Sequence, residues 1–395
     1  MQVPPIASVE VVAARVSPAP EQAALRALQG EWVFVLVRSD GGLTGYGEGT
    51  HSGNDAALAA LVRDRLGPVL VERARSCGTV QNLTAGLLDT IHAAGDPRRS
   101  RVLATAVSAV EQALWDLAAR AAGQPLHQAL GGRRAAEPVT LYATLNRGIF
   151  DRTPEGFARA ARLAVSEGFY AVKCAPFDGV ARGGEPGAAR LAAIELGIER
   201  AAAVRDAIGD DVDLMIDCHG RFTEPEAIEV AARLAALRLC WLEEPVPFEP
   251  DPAALARVRR ASPVPIAAGE LMFGIEAFRP LLDAGAADVL MPDVKHCGGL
   301  AAAREIAALA ARYGVAIAPH NPSGPISTLA SAHLCAALSN APLLEYAWGE
   351  VPWRALLLQP AEMIDRGRLV VPPGPGLGAQ IDGPTLAGHR VSLVT

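Results

Sequence analysis

The chain has 395 residues, half of them apolar and 20% charged, with a net charge of −7. This is the composition of a globular protein and excludes a disordered or fibrous one. The acidic balance and the absence of any Lys/Arg run argue against a nucleic-acid partner, which needs a concentrated basic face.

No apolar stretch approaches the roughly 20 residues of a spanning helix, so no membrane partner is expected. The N-terminal MQVPPIASVE lacks the basic-then-apolar pattern of a secretion signal, and a cytoplasmic location is the expectation. Six cysteines, at 77, 174, 218, 240, 297 and 335, stand without C-x-x-C pairs, which disfavours a zinc knuckle or a disulfide framework.

In chain order, IASVEVVAARV and EWVFVLVRSDGGLTGYGEG predict two strands and a hairpin, with Ser39-Asp40-Gly41-Gly42 supplying the turn. Residues 103–130 carry apolar positions at helical spacing and end at Gly131-Gly132, which predicts one long helix and a domain boundary near 135. From 138 to about 346 the rhythm changes. Short β-prone runs (VTLYATL, FYAVKCA, DVDLMIDCH, LCWLEE, PIAAGE, DVLMPDVK, VAIAPH, PLLEYA) alternate with Ala/Leu-rich helical stretches. Such alternation predicts a parallel barrel with right-handed βα crossovers. The Gly-rich insertion at 178–190 reads as a surface or lid loop, and the Pro/Gly-rich tail after 346 is expected to return to the N-terminal part.

Lys173, Asp217, Glu243, Glu270, Asp293, His320 and Glu345 stand at the ends of successive runs. From Asp217 onward their spacings are 26, 27, 23, 27 and 25 residues, about one βα unit each. In a parallel barrel those strand ends converge on one mouth. A single strand-end acid is ordinarily a helix cap or surface charge, but a regular series points to a site. Asp217, Glu243 and Glu270 form an all-oxygen set without sulfur or paired imidazole, which suits Mg²⁺ better than Zn²⁺. In WLEEP, strand alternation turns one of Glu243 and Glu244 inward. Glu243 is taken as the ligand and Glu244 as a supporting residue.

With these residues in place, the chain resembles the mandelate racemase-like group of the enolase superfamily. The resemblance runs from GYGEGT through ALWDLAARAAGQPLHQALGG to LEEP, AAGE, MPD and APH. It implies a (β/α)7β TIM-type barrel at 136–346, an α+β capping domain at 1–135 and a segment at 347–395 returning to the cap. It also implies essential Mg²⁺, homo-oligomers, and proton abstraction α to a substrate carboxylate. Asp293 and His320 match the group's Asp-His dyad, and Glu345 matches a glutamate that hydrogen-bonds substrate. Chemistry supports these roles: an enediolate needs cationic stabilisation, from the metal and Lys173, and His320 is a plausible base near neutral pH.

Racemases of the group carry Lys-x-Lys on the second strand, whereas this chain has Lys173-Cys174-Ala175 and lacks the second base. Asp217-Cys218-His219-Gly220-Arg221 instead resembles acid-sugar dehydratases of the D-galactonate dehydratase type. There the histidine protonates the departing β-hydroxyl. Strand alternation would place His219 on the same side as Asp217. The expected activity is therefore Mg²⁺-dependent dehydration of an acid sugar, a small-molecule carboxylate. The alternatives are racemisation or epimerisation α to a carboxylate, a cycloisomerase or epimerase using Lys295 as base, and a non-catalytic binding protein. Lys295, His51 in the cap loop and Arg221 are candidate substrate contacts, and His296 is a weaker one.

Overall fold

The first strand-forming runs pair as an antiparallel meander of β1 (Ile6–Arg15), β2 (Glu31–Ser39) and β3 (Thr44–Glu48). In this computed structural model the described residues are 1–16, 31–50, 53–75, 78–133, 135–249 and 251–393. The central strand β2 is buried on both faces, as its unbroken WVFVLV run anticipates. Helices α1 (Asp55–Leu61), α2 (Gly67–Arg73), α3 (Val80–Ala94) and α4 (Arg101–Ala121) cover the sheet. β3 lies so close to α4 that a Cβ at Gly47 would collide with the Ala109 carbonyl, which accounts for glycine there.

Two expectations about α4 change. It stops at Ala121 instead of continuing to 130, because Gly123 turns the chain at φ 66° and Pro125 cannot continue the helix; a short α5 (Leu126–Ala129) follows. With 21 residues, α4 is also long and apolar enough to cross a membrane, contrary to the expectation that no stretch approached that length. Its residues from Ala104 to Ala119 are buried in the cap, so it is a core helix of this fold.

All eight β-prone runs form strands: β4 (Val139–Thr144), β5 (Ala171–Cys174), β6 (Asp213–Asp217), β7 (Trp241–Glu243), β8 (Ile266–Ala268), β9 (Val289–Leu290), β10 (Ala316–Ile317) and β11 (Leu344–Ala347). The strands pair in parallel in the row β11-β4-β5-β6-β7-β8-β9-β10. The ends of the row meet where the Glu345 amide donates to the Pro319 carbonyl at 3.3 Å. The seven crossovers carry α6 (Pro154–Ser166), α7 (Ala188–Ile208), α8 (Glu224–Leu234), α9 (Ala253–Ala261), α10 (Ile275–Asp283), α11 (Leu300–Arg312) and α12 (Pro325–Ala337). This is a (β/α)7β barrel.

Its lumen is filled by Tyr142, Ala171, Met215, Trp241, Ala267, Met291 and Ala318, which pack as one buried cluster. Strand alternation then fixes the next inward layer. Thr144, Lys173, Asp217 and Glu243, still within their strands, each lie two residues beyond a member of that cluster and so stand above the floor it forms, and Asp293 and His320 keep the same spacing just past the ends of β9 and β10.

The tail divides its contacts. β12 (Leu358–Gln359) pairs with β15 (Gln380–Ile381), and a hairpin of β13 (Ile364–Asp365) and β14 (Arg368–Leu369) adds to barrel strand β4 instead of to the cap. The tail meets the cap at Leu377, whose amide donates to Asp116 at 2.7 Å, and again after α13 (Gly383–His389), where β16 (Arg390–Val391) pairs with β1.

Cap and barrel are joined by buried carboxylates at helix N-termini. Glu48 accepts from the amides of Gly324 (2.6 Å) and Ser327 (2.9 Å) at the start of α12. Glu111 accepts from the amides of Leu300 (2.7 Å) and Ala301 (3.0 Å) at the start of α11, and from the Trp115 indole at 2.7 Å. Each carboxylate supplies the acceptors that the first turn of a helix lacks. Glu111→Ala would orphan three donors, two of them buried, and is expected to lower stability by about 2–4 kcal/mol. Urea unfolding would show this as an earlier midpoint. An unchanged midpoint would mean that this cap contributes nothing.

Candidate active site

Asp217 and Glu243 are the last residues of β6 and β7, so the strands themselves aim them into the mouth. Glu270 arrives differently. β8 ends at Ala268, and Gly269 turns the chain at φ 106°, a conformation that a side chain would oppose, with Phe278 also 2.8 Å from any added Cβ. The Glu244 carboxylate accepts from the amides of Gly269 (3.0 Å) and Glu270 (3.3 Å) and so holds this turn. Glu244 itself sits at φ 38°, beyond the end of β7, which is how it reaches outside the strand's alternation. Ligand atoms of Asp217, Glu243 and Glu270 all lie within 4.8 Å of one another.

These three residues fit a divalent cation. All three offer hard oxygens. Glu270 Oε2 is buried with no aligned donor among the described residues, although His320 Nε2 lies 3.1 Å away. Burial, together with Asp217 and Glu270 and against Lys173, pushes the Glu243 carboxyl up to about 8, the mark of crowded negative charge. A cation would relieve that crowding.

Lys173, expected to help the metal stabilise the enediolate, is held by ion pairs within the protein. Its Nζ donates to Glu243 Oε1 (2.8 Å) and Oε2 (2.9 Å) and lies 3.1 Å from Glu345 Oε1. Burial opposes the ammonium, but Glu243 and Glu345 outweigh it and hold its pKa above the ordinary lysine value. Glu345, expected to hydrogen-bond substrate, is 1% exposed and accepts from Thr144 Oγ1 (2.5 Å) and the Asn321 amide (2.9 Å). Its carboxylate also lies against Lys173.

The dyad forms. His320 Nδ1 is 2.8 Å from Asp293 Oδ2, which directs Nε2 toward Glu270 and the metal side. Burial works against the imidazolium, yet Glu270, Glu345 and Asp293 together raise the His320 pKa to about 9. A cation held by Glu270 would cancel part of that field and bring the imidazole back toward neutrality, as a base requires. Lys295 is also bound to the dyad. Its Nζ, a candidate substrate contact, donates to the same Asp293 Oδ2 at 2.7 Å and is fully buried. Despite burial, Lys295, His296 and His320 hold the Asp293 carboxyl far below its usual range. His296 faces the cap, with Nδ1 2.9 Å from Thr105 Oγ1, and burial lowers it to about 3.

His219 reaches the mouth, but not by strand alternation. β6 has ended, and His219 occupies a left-handed turn at φ 52°, followed by Gly220 at φ 63°. A non-glycine residue there carries strain of order 1 kcal/mol or more. Its Nε2 lies 3.0 Å from Asp217 Oδ2 and its amide donates to Asp217 Oδ1 at 3.0 Å. Asp217, opposed by burial, raises the His219 pKa to about 9. His219 and Glu270 line a cavity of about 210 Å³, and His320 Nε2 lies 3.1 Å from Glu270 Oε2.

Arg221, a candidate substrate contact, is engaged with the insertion and makes no ion pair among the described residues. Its Nη1 donates to the Val180 carbonyl at 2.5 Å and ties down the insertion. His51 lies outside the described residues. Arg182, on the cavity lining, and Thr144 and Asn321, around Glu345, escape a reading based on strand-end acids. Asn321 alone carried a signal, as the residue next to His320.

A barrel whose mouth unites an acidic triad with an Asp-His dyad under an α+β cap defines a class of enzymes, and the sequence comparisons give the same class. Residues 156–385 match the enolase C-terminal domain-like family, and residues 6–131 match the mandelate racemase / muconate lactonizing enzyme N-terminal domain. The chain belongs to the mandelate racemase / muconate lactonizing enzyme family of the enolase superfamily. Among curated relatives, a D-xylonate dehydratase of Haloferax volcanii is 33% identical over 366 residues, covering 91% of this chain and 85% of the relative. A D-galactarolactone cycloisomerase of Agrobacterium fabrum is 33% identical over 383 residues, 94% of each chain. The crystal structure of a mandelate racemase/muconate lactonizing enzyme from Sulfitobacter sp. superposes with a TM-score of 0.84 at 29% identity, over 97% of this chain and 95% of that one.

Proposed function

We propose that this enzyme is a Mg²⁺-dependent dehydratase of an acid sugar, yielding a 2-keto-3-deoxy acid. One observation carries the reading: a single mouth holds the triad, a His320–Asp293 pair against Glu270, and a second histidine, His219, that touches Asp217 and lines a cavity with Glu270. The relative named as a D-xylonate dehydratase supports it.

Asp217, Glu243 and Glu270 would hold Mg²⁺, whose chemistry is to neutralise the substrate carboxylate and the charge that builds on it as the α-proton leaves. Asp293 keeps the His320 proton on Nδ1, so Nε2 is free to take the α-proton. Lys173, fixed by Glu243 and Glu345, places a permanent positive charge beside the triad, where the enediolate charge develops. His219 then gives its proton to the β-hydroxyl, because hydroxide is a poor leaving group, and water departs. The enol left behind tautomerises to the keto acid.

Lys295 as the base of a cycloisomerase or epimerase is disfavoured, since its ammonium is fully buried and held on Asp293. Racemisation lacks a second base at Ala175. A screen of aldonic and aldaric acids, with keto acid trapped by semicarbazide, tests the reading. Stripping the metal with EDTA is expected to remove dehydration by more than about 100-fold, with recovery on Mg²⁺. Deuterium entering unreacted substrate with inversion, and no keto acid from any acid sugar, would replace dehydration with epimerisation.

A further inference from the structure

We propose that Arg182 is a specificity-determining residue, selecting an acid sugar that carries a second carboxylate at the end remote from the reacting carbons. This rests on the acid-sugar reading above.

The insertion that carries Arg182 is built into the barrel rim by side chains from α7 and the loops beside it. Asp178 is held by Arg200 and Arg152, both at 2.7 Å. The Val180 carbonyl accepts from Arg221 at 2.5 Å, and the Ala181 carbonyl from Arg190 at 2.7 Å. Arg190 is itself anchored on Glu226 (2.7 and 2.8 Å) and on the Arg221 carbonyl at 2.8 Å. Two consecutive carbonyls immediately before Arg182 are therefore fixed by guanidinium groups.

Arg182 is different from those arginines. It makes no hydrogen bond or ion pair among the described residues, yet it lines the same cavity as His219 and Glu270. The cavity's other charged groups are His219, committed to Asp217, and the carboxylates of Glu244, Glu249 and Glu270. Glu244 and Glu270 belong to the metal end. An uncommitted guanidinium on a fixed backbone, beside Phe248 on a small cavity, is suited to bidentate capture of a carboxylate. Glu249, exposed on the same lining, is suited to accept from sugar hydroxyls.

The test uses full-length, Mg²⁺-loaded enzyme and matched acids that differ only at the terminal carbon: galactonate and galactarate, gluconate and glucarate, mannonate and mannarate. Steady-state kinetics and calorimetric binding are measured for the wild type, Arg182→Gln and Arg182→Lys. The expected result is preference for a diacid, with Arg182→Gln raising its KM and Kd roughly 10- to 100-fold while kcat stays within about two-fold. The matching monoacid should be unaffected, and Arg182→Lys should recover part of the loss. Equal weakening of both acids would make Arg182 a loop scaffold and overturn the proposal, as would a wild type that favours the monoacid in every pair. If diacids bind through Arg182 but none is dehydrated, the dehydratase reading fails while the assignment of Arg182 stands.

Discussion

His320→Asn is expected to stop both dehydration and exchange of the α-proton with solvent, by about 10³–10⁴-fold. The Asp293 contact at 2.8 Å fixes the imidazole tautomer, and the neighbouring His296 is turned onto Thr105 of the cap. Asparagine can keep a hydrogen bond to Asp293 but cannot accept a proton at Nε2. Since none of Asp217, Glu243 and Glu270 is altered, Mg²⁺ content should be retained, which separates a lost base from a damaged metal site. Proton NMR in D₂O reads the exchange, and metal analysis reads the occupancy. Exchange surviving in this variant would move the base to Lys295 and revive the reading set aside above.

His219→Asn should behave differently. Exchange of the α-proton is expected to persist while keto-acid formation falls by about 10²–10⁴-fold, because only the step that expels the β-hydroxyl loses its acid. The result is informative because His219 also touches Asp217 at 3.0 Å. Were the histidine a ligand of the cation instead of an acid, the variant would lose Mg²⁺ affinity, and exchange and dehydration would fall together. Retained metal with split chemistry is the outcome that the proposed mechanism requires.

Much of this architecture was legible in the sequence because barrel strands repeat at nearly constant intervals and place their last inward residues at one height. That regularity identified Asp217, Glu243, Asp293 and His320, each two residues above a floor residue. It was a poorer guide where the chain leaves strand geometry. Glu270 depends on the positive φ of Gly269 and on Glu244 behind it. His219 reaches Asp217 through a left-handed turn, so alternation gave the right neighbour for the wrong reason. The partners of Lys173, Glu345 and Lys295 were not legible, because several charges around one rim can pair in many ways and only coordinates decide which do. Arg182 and Arg221 lie in and beside a Gly-rich insertion, where spacing carries no information about direction. The break in the long cap helix, by contrast, was encoded at Gly123 and Pro125.

The carboxylates of Glu48 and Glu111 grip the starts of two barrel helices, α12 and α11, at different points around the ring. Two such attachments leave the cap at most the line joining them as an axis, since rotation about any other would tear a carboxylate from its amides. A further consequence is one of registration: any residue the cap lends to the mouth is delivered at a fixed bearing, so sequence changes in its loops alter what is recognised without disturbing the alignment of base, acid and metal.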